Sequence, residues 1–457
     1  MSEVKGALAS VARDLVGQVH GTLLRSEDAA YEAARRVWNA AVDRRPAAIV
    51  VCADEDDIVL ALRAAVAHGL PVTVRGGGHN VAGRSMSDGA LLIDLSQMRR
   101  VTVDARSQIA VAQGGALWHD LDTATAEQGL ATTGGMISST GVGGFTLGGG
   151  TGWLMRRHGL AIDNLLSATV ALADGHLVQA SADEHADLFY GLRGGAGGLG
   201  VVTSFTFRVH PLREVLAGLI IRPAAEARVA LRQFRDFALQ APDDYCGMMV
   251  LAAAPPFPFL DAAWHGRPVL IHALCWSGDA ATGKRALEPL RSFGTVLADH
   301  VGPMPYVQWQ HLTDPSAPPG RYNYWETASY ASLSENTVEV LAQAIDDLPS
   351  SRSEIHVQHL GGAVARIPEA DTAFAARGAQ FFVNVIGITA VSDEFALLRA
   401  KVRELFDQLV PGALSSHLPN FSSQERGEAE VRFGAVQRAR VEDIRRKYDP
   451  TGVFVKP

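Results

Sequence analysis

The sequence predicts an α+β fold, and three observations lead to that prediction. Short strand patterns mix with helical patterns at irregular spacing, unlike the regular alternation of a doubly wound sheet. Residues 212–410 combine strand-rich stretches with helices in a way that suits an antiparallel sheet backed by helices on one side. The length of 457 residues exceeds what one hydrophobic core usually organises, so two or three domains are expected.

The first half of the chain predicts short strands between helices. Residues 1–45 carry apolar residues three and four apart, which is typical of helices. Acidic residues at 54–57 precede a predicted helix at 58–68, where the positive end of the helix dipole favours them. Residues 114–129 predict a turn and a helix, and 173–176 a hairpin turn. The strands predicted here are 47–52, 70–74, 90–95, 100–103, 109–112, 168–172 and 201–209.

His210-Pro211 marks a predicted boundary, after which a second unit begins. Its proline- and glycine-broken stretch, 302–322, predicts a long irregular loop, and such loops are more often functional than not. A charged helix at 429–448 ends at Asp449-Pro450, a typical stop signal. The strands predicted for the second unit are 216–221, 248–252, 269–273, 354–360 and 381–387. Its helices are predicted at 224–241, 280–293, 334–347 and 394–409.

Composition excludes several classes of partner. The chain is 47% hydrophobic and 20% charged, and its net charge is −8. A pI near 6.0 disfavours a nucleic acid or an anionic membrane as partner, because neither finds a basic surface. No apolar run approaches the ~18 residues that span a bilayer, and no signal-like segment follows the N-terminus. We therefore expect a cytoplasmic protein.

The three cysteines, Cys52, Cys246 and Cys275, stand in apolar surroundings. An odd number without a CxxC pattern predicts buried free thiols and no disulfide framework. Histidines, cysteines and acids nowhere show zinc-ligand spacing, so no metal is expected.

The most informative segment is residues 75–83, Arg-Gly-Gly-Gly-His-Asn-Val-Ala-Gly. It follows a predicted buried strand, and three successive glycines leave backbone N–H groups unscreened by side chains, a geometry suited to a diphosphate. His79 follows directly, so the loop would hold an imidazole beside the bound group. The alternative is a tight turn that carries a surface histidine.

Residues 134–152 form a second glycine-rich segment, with nine glycines and five serines or threonines among nineteen positions. Such a bare backbone can approach a flat ring or a ribityl chain closely. Neither segment has the G-x-G-x-x-G spacing and strand-loop-helix context of a Rossmann fold, and no P-loop motif occurs. A nicotinamide cofactor or a nucleoside triphosphate is therefore not predicted.

Together these motifs resemble the berberine-bridge-enzyme-like (BBE-like) branch of the vanillyl-alcohol-oxidase flavoproteins, close to its bacterial members. The similarity follows family order over nearly the whole chain. The matching stretches are VRGGGH (74–79), GVGG (141–144), LGGG (147–150), WLMRRHGL (153–160), DN (163–164), ADG (173–175), DLFY (187–190), LRGG (192–195), GVVT (200–203), NF (420–421) and KYDPT (447–451).

The resemblance implies a PCMH-type FAD-binding domain, formed by residues 1–210 with a C-terminal return at 411–457, and an inserted substrate domain at 211–410. It implies FAD bound covalently, with His79 bonded to the C8 methyl carbon of the flavin. The cofactor-binding residues carried over by position are Arg75, Gly76, Gly77, Gly78, His79, Asn80, Gly83, Gly114, Gly135, Ser138, Thr140, Gly141, Gly144, Gly149, Gly150, Gly152, Gly200, Val201 and Asn420.

The chain departs from the family pattern at two functional positions. Many members hold the flavin by a second bond from a cysteine four residues before GVGG, and this chain has Ile137 there. The resemblance therefore implies one covalent bond, through His79. The family tyrosine two residues before Asn420 is replaced by Leu418, which leaves the catalytic base unassigned.

Four residues are candidates for acid, base or substrate contacts: Tyr324, Glu326, His359 and Asn384. Each has the alternative interpretation of a satisfied structural residue. The other histidines, including His356, are interpreted as structural.

The resemblance implies an oxidase or oxygenase that transfers a hydride from a small organic substrate, such as a secondary metabolite, to flavin N5, with O2 as electron acceptor. A dehydrogenase with another acceptor and a flavin-retaining protein without turnover stay open. No oligomeric state is predicted.

Overall fold

A computed structural model of the chain describes residues 2–414, 418–423 and 434–456. The first sheet has the order β1-β2-β4-β3, in which β2, β4 and β3 run parallel and β1 is antiparallel to β2. Its elements are α1 (Ser2–Leu15), β1 (Thr22–Arg25), α2 (Tyr31–Ala34), β2 (Ala48–Val51), α3 (Glu55–His68), β3 (Val72–Arg75) and β4 (Leu91–Asp94).

The helical prediction for residues 1–45 is wrong at 22–25, because this stretch pairs with the buried strand β2. Leu23 and Leu24 pair with Val50 and Ile49, an apolar match that local periodicity does not reveal. The acidic start predicted for the next helix is confirmed, since the Asp54 side chain accepts a hydrogen bond from the Asp57 backbone N–H.

The second sheet is antiparallel, with the order β5-β6-β10-β8-β9, and β7 pairs separately with β11. The predicted turn at 173–176 joins β8 and β9 as a hairpin. The elements are β5 (Val101–Asp104), β6 (Ile109–Gln113), α4 (Trp118–Glu127), β7 (Leu130–Ala131), α5 (Val142–Leu147), α6 (Met155–His158), β8 (Leu165–Ala171), β9 (Leu177–Ser181), α7 (Ala186–Leu192), β10 (Val201–Arg208) and β11 (His210–Pro211).

The third sheet contains eight antiparallel strands in the order β15-β12-β14-β13-β18-β19-β17, with β16 also paired to β12. Its strands are β12 (Glu214–Pro223), β13 (Tyr245–Ala253), β14 (Pro268–Trp276), β15 (Ala298–Asp299), β16 (Gly302–Pro305), β17 (Tyr322–Tyr330), β18 (Glu354–His359) and β19 (Phe381–Thr389). The helices are α8 (Ala227–Ala238), α9 (Ala280–Arg291), α10 (Tyr306–His311), α11 (Glu335–Ala344), α12 (Ala363–Arg366) and α13 (Phe395–Leu409).

The two faces of the third sheet have different neighbours. Leu231 of α8, Leu341 of α11 and Val402 of α13 share one apolar cluster with sheet residues such as Val357. The opposite face packs against residues 153–162 of the N-terminal half through a second cluster. Since side chains alternate along a strand, the position of each residue decides which face it serves. The predicted antiparallel sheet backed by helices is confirmed.

The long irregular loop predicted at 302–322 is wrong. This segment contains strand β16 and helix α10, and the side chains of Tyr306 and Trp309 are buried. Trp309 packs on Trp153 at a ring-centroid distance of 4.8 Å. The prolines indicated a loop. Burial of the two aromatic rings instead stabilises a helix between Pro305 and Pro315.

The C-terminal segment contacts the first half of the chain. Helix α14 (Ala435–Tyr448) is described from Ala435, and the earlier start predicted at 429 lies outside the described residues. Lys447 Nζ lies 2.5 Å from a carboxylate oxygen of Asp187, and Phe454 forms a bridge to Val72 beside β3. These contacts agree with the predicted return of the C-terminal segment to the first domain. The domain boundaries themselves stay a prediction.

Across the described residues, no helix combines the length and the apolar character needed to cross a membrane.

A buried carboxyl group in α4 gives the fold a pH dependence. Asp122 is 3% exposed, and the Gln310 side-chain amide donates to its carboxylate at 3.2 Å. Desolvation raises the pKa of Asp122 to about 7, above the value of about 4 that an aspartate has in an unfolded chain.

Folding therefore takes up a proton at Asp122 between about pH 4 and pH 7. Its contribution to stability is present below about pH 4 and is lost as the pH rises through about 7. We expect Asp122→Asn to reduce the loss of unfolding free energy between pH 5 and pH 8, by an amount on the order of a few kcal/mol. Denaturant unfolding of both proteins at the two pH values measures this difference, and an unchanged difference would show that Asp122 titrates normally.

Candidate active site

A cavity of about 1490 Å³ lies between the two glycine segments and the third sheet. This volume exceeds the roughly 300–1,000 Å³ of most small-molecule sites, so it has room for a dinucleotide and a substrate together. The first and second glycine segments line one side, and strands β13, β14, β18 and β19 line the other. Asn420 and Val455 bring the C-terminal segment to the same cavity.

The two glycine segments touch backbone to backbone. A Cβ placed on Gly77 would lie 2.4 Å from the backbone nitrogen of Gly141, and one placed on Gly141 would lie 2.3 Å from the nitrogen of Gly77. Only two glycines permit this approach. Among the hydrogen bonds between described residues, none uses the backbone N–H of Gly76, Gly77 or Gly78 as donor. These donors are therefore available to a ligand.

His79 lies in the cavity wall directly after these glycines. Its ring stacks on Trp38 at a centroid distance of 4.5 Å and an angle of 19°. The Ser139 hydroxyl lies 3.2 Å from its Nε2. Desolvation lowers the pKa of His79 to about 4, although Asp314 opposes the shift. The imidazole is therefore neutral near pH 7, the state in which its nitrogen is a nucleophile.

Arg75 does not line the cavity, although it opens the predicted diphosphate loop. Its guanidinium forms a buried ion pair with Asp94 at 2.5 Å and donates to the backbone oxygens of Ala34 and Arg36. Arg75 therefore anchors the start of the loop, and its side chain does not reach the cavity in this structure.

The second glycine segment is not wholly irregular, because Val142–Leu147 forms helix α5 with Gly141 at its N-cap. Ser138 turns away from the cavity, and its hydroxyl donates to Asp314 at 2.5 Å. Gly152 supports the backbone, since a Cβ there would lie 2.0 Å from the Gly134 oxygen. The segment thus contains both wall residues and packing residues.

Twelve of the predicted cofactor-binding residues line the cavity and seven do not. Those in the wall are Gly76, Gly77, Gly78, His79, Asn80, Gly114, Gly135, Thr140, Gly141, Gly144, Gly200 and Asn420. Those outside it are Arg75, Gly83, Ser138, Gly149, Gly150, Gly152 and Val201. For these seven residues a cofactor contact stays a prediction, and the structure shows packing contacts instead: Gly83, for example, packs on Val42, and a Cβ on Gly149 would meet the Phe374 ring at 2.6 Å.

Asn420 joins the C-terminal segment to helix α5. Its side-chain amide donates to the Phe145 backbone oxygen at 3.1 Å, and its Oδ1 accepts from the Gly150 N–H at 3.4 Å. The Asn80 side chain donates to the Pro419 oxygen at 3.3 Å, which ties the same segment to the first glycine loop.

Strand alternation places three of the four catalytic candidates away from the cavity. Tyr324 and Glu326 lie on the helix-covered face of β17, where the Tyr324 hydroxyl donates to Glu326 at 2.7 Å and accepts from Arg403 at 2.9 Å. His359 lies buried beside Arg156, whose Nη1 donates to its Nε2 at 2.8 Å. None of these three side chains lines the cavity, so the structure favours their alternative interpretation as satisfied structural residues.

Asn384 of β19 does line the cavity, as expected. Its Oδ1 is buried and has no hydrogen-bond partner among the described residues. A buried acceptor without a partner is costly, so this atom fits a ligand donor.

The sequence interpretation missed His356, Glu354 and Gln358, which line the cavity from alternate positions of β18. Nε2 of His356 lies 2.8 Å from a carboxylate oxygen of Glu354. The period of two along 354–358, polar against apolar, was the signal that could have found them.

Around these polar groups the sheet side of the cavity is apolar. Phe257 stacks on Phe259 at 5.0 Å, and Phe259 stacks on His300 at 4.4 Å. Ile271 and Phe382 continue this wall. The arrangement suits a planar apolar molecule with few polar groups.

Ile137, four residues before the GVGG motif, lines the cavity. Cys52, Cys246 and Cys275 are all buried free thiols, and none of them lines the cavity. No cysteine of this chain therefore stands where a second covalent bond would form.

The chain matches the family model described as an FAD binding domain over residues 46–181. It is 26% identical over 460 residues to an FAD-linked oxidoreductase of Dictyostelium discoideum, covering 99% of this chain and 97% of the relative. It is 28% identical over 452 residues to the (R)-6-hydroxynicotine oxidase of Paenarthrobacter nicotinovorans, with 95% of each chain covered.

The fold is shared with the wild-type BBE-like 1 protein of Physcomitrella patens. The two structures superpose with a TM-score of 0.84 at 18% identity, covering 99% of this chain and 97% of the other. This similarity confirms the predicted PCMH-type FAD-binding fold.

The cavity fits FAD by three features of its own: unpaired N–H donors on Gly76 to Gly78, a neutral imidazole at His79, and buried hydroxyls that lack partners among the described residues. These hydroxyls belong to Thr73, Ser85 and Thr151, and all three residues line the cavity.

We expect Gly77→Ala to separate the two glycine segments, because its methyl group would overlap the Gly141 backbone. The variant should lose roughly 1–3 kcal/mol of stability and most of its flavin. Flavin absorbance per chain and thermal unfolding measure both effects. Gly302→Ala is the matched control, since no atom lies within 4 Å of its added Cβ. Full flavin content in Gly77→Ala would contradict the role given to this contact.

Proposed function

We propose that this chain is an FAD-linked oxidoreductase, an oxidase with FAD covalently attached through His79. It would act in the cytoplasm on a small organic molecule, such as a secondary metabolite. The observation that carries the covalent attachment is the neutral, stacked imidazole of His79 at the end of the first glycine loop. When bound, FAD supplies an acceptor for a hydride from substrate carbon and passes the electrons to O2.

The glycine loop would hold the diphosphate. The N–H groups of Gly76, Gly77 and Gly78 follow the end of strand β3, and no side chain screens them. Successive backbone N–H groups of this kind form an anion-binding concavity. The ion pair of Arg75 with Asp94 fixes the start of the loop, so the donors do not reorganise on binding.

His79 would form the single covalent bond. Stacking on Trp38 restrains the ring plane, and the Trp38 indole N–H is itself fixed by a 2.9 Å hydrogen bond to the Ala317 oxygen. The hydroxyl of Ser139 approaches Nε2 and restrains the ring further. In the attachment, a ring nitrogen would bond to the flavin methyl carbon, that carbon would lose a proton, and the two electrons left on the flavin would pass to O2. Ile137 supports a single attachment, since it offers no thiolate.

The first test is retention of colour. Wild-type protein should stay yellow after acid precipitation, whereas His79→Ala should release all its flavin, because no cysteine lines the cavity to supply a second attachment. His176→Ala, in the exposed turn between β8 and β9, is the control and should keep the colour. Complete release of flavin from the wild-type protein would contradict the covalent bond.

The second test is the pH dependence of attachment in apoprotein supplied with FAD. Because the pKa of His79 is lowered to about 4, the imidazole stays neutral from pH 8 to about pH 5.5. We expect the rate of covalent attachment to be unchanged over this range by gel fluorescence. A rate that falls tenfold per pH unit below pH 7 would show that the imidazole gains its proton at an ordinary pH.

The electron acceptor is tested separately. In stopped-flow experiments, photoreduced wild-type flavin should be reoxidised by O2 within the turnover time, with release of H2O2. Slow reoxidation by O2 and fast reoxidation by an artificial quinone would identify a dehydrogenase. A flavin that no substrate reduces would identify a flavin-retaining protein without turnover.

A further inference from the structure

Strand β18 carries the polar groups of the substrate side of the cavity. Glu354, His356 and Gln358 face the cavity at alternate positions, while Ile355 and Val357 face the helices. His356 pairs across the sheet with Asn384 of β19, which also lines the cavity. Four polar side chains thus form one strip on an otherwise apolar wall.

The histidine of this strip is oriented by a carboxylate. Nε2 of His356 lies 2.8 Å from Glu354, and the two side chains are 24% and 25% exposed. A carboxylate partner accepts a hydrogen bond from Nε2–H of a neutral ring, which leaves Nδ1 as the acceptor. A base held in one tautomer by a second group is the arrangement used for proton abstraction.

The neighbouring amides lack strong partners among the described residues. Oδ1 of Asn384 is buried without a hydrogen bond, and the only hydrogen-bonding neighbour of the buried Gln358 amide among the described residues is the weakly accepting Cys246 thiol. One is an acceptor and the other a donor, and they flank His356 on the same face of the sheet. A bound hydroxyl group could satisfy both atoms, because it donates and accepts.

The other described cavity histidines have different partners. His265 Nε2 contacts the Leu260 backbone oxygen, and His300 stacks on Phe259. Charged groups also reach the cavity from Arg352, beside β18, and Arg321, before β17. On the two neighbouring strands, β13 and β19, the residues directly opposite His356 are Val250 and Asn384. Among the described cavity residues, His356 is therefore the one histidine that is hydrogen-bonded to a carboxylate.

We propose that His356 accepts the proton of a substrate hydroxyl group, with Glu354 as its positioning residue and Asn384 and Gln358 as hydrogen-bond partners of the substrate. The substrate is an alcohol on a planar apolar body, which packs against Phe257 and Phe259. This inference rests on the proposed function and names its substrate class. The O–H proton passes to His356 and the carbon-bound hydride to FAD, so the alcohol becomes a carbonyl compound. O2 takes the two electrons and, with two protons, leaves as H2O2.

The kinetic test measures anaerobic flavin reduction in the holoenzyme by 4-methoxybenzyl alcohol and cinnamyl alcohol. His356→Gln should lower the limiting reduction rate by roughly 10²–10⁴-fold, the usual contribution of a general base, with a smaller change in the dissociation constant. Glu354→Gln should lose roughly 10–100-fold, and Glu354→Asp should recover part of that loss. Flavin content and absorption should stay as in the wild type.

His176→Gln is the matched control, because His176 forms a histidine–carboxylate pair with Asp174 at 2.9 Å in an exposed turn. It should reduce at the wild-type rate. A full reduction rate in His356→Gln would overturn this inference and leave the proposed oxidase standing.

A binding test does not require turnover. Bound 4-nitrophenol should ionise in the wild-type cavity, giving the phenolate difference spectrum below the pH at which the free compound ionises. His356→Gln should bind it as the neutral phenol. The same spectrum in both proteins, or no binding to the wild type, would overturn the inference. If the wild-type protein binds the phenolate but no alcohol reduces its flavin, the proposed turnover is overturned and His356 is kept as the proton acceptor.

Discussion

The contact between the backbones of Gly77 and Gly141 is the constraint on which the cavity depends. It brings a loop that ends one sheet against the start of helix α5, with less space between them than a single methyl group needs. The close approach sets the position of His79, which follows the first glycine loop, and of Ile137, which precedes the helix. The free N–H donors and the proposed flavin attachment site depend on the same contact.

The third sheet is under a different constraint, because its two faces contact different parts of the molecule. One face must bury apolar side chains under α8, α11 and α13, while the other must present polar groups to a substrate. A shift of one residue exchanges the two sets of side chains. Tyr324 and Glu326 therefore form a buried polar pair behind the sheet, and His356 and Glu354 form an accessible pair in front of it.

Position along the sheet links the two sides of the cavity. Trp325 of β17 packs edge-on against Trp38 at 5.7 Å, and Trp38 stacks on His79. In the sheet, Trp325 pairs with Ile386, which pairs with Glu354 on the next strand. A continuous row of contacts thus runs from His79, the proposed flavin attachment residue, to the proposed proton-accepting pair. Packing of rigid rings along this row keeps the two chemical groups in a defined relation.

The sequence by itself determined most of the FAD-binding fold, because the strands and glycine loops of that fold depend on local pattern. Three glycines before His79 require a bare loop, and the apolar runs in 216–221 and 381–387 favour a strand whatever lies around them. Twelve of the nineteen proposed cofactor residues line the cavity for that reason. Only the tertiary structure decided which face of a strand meets the cavity, as His356 and His359 show. Both lie on one short strand, and their roles differ because the partners packed on each face come from segments distant in the chain.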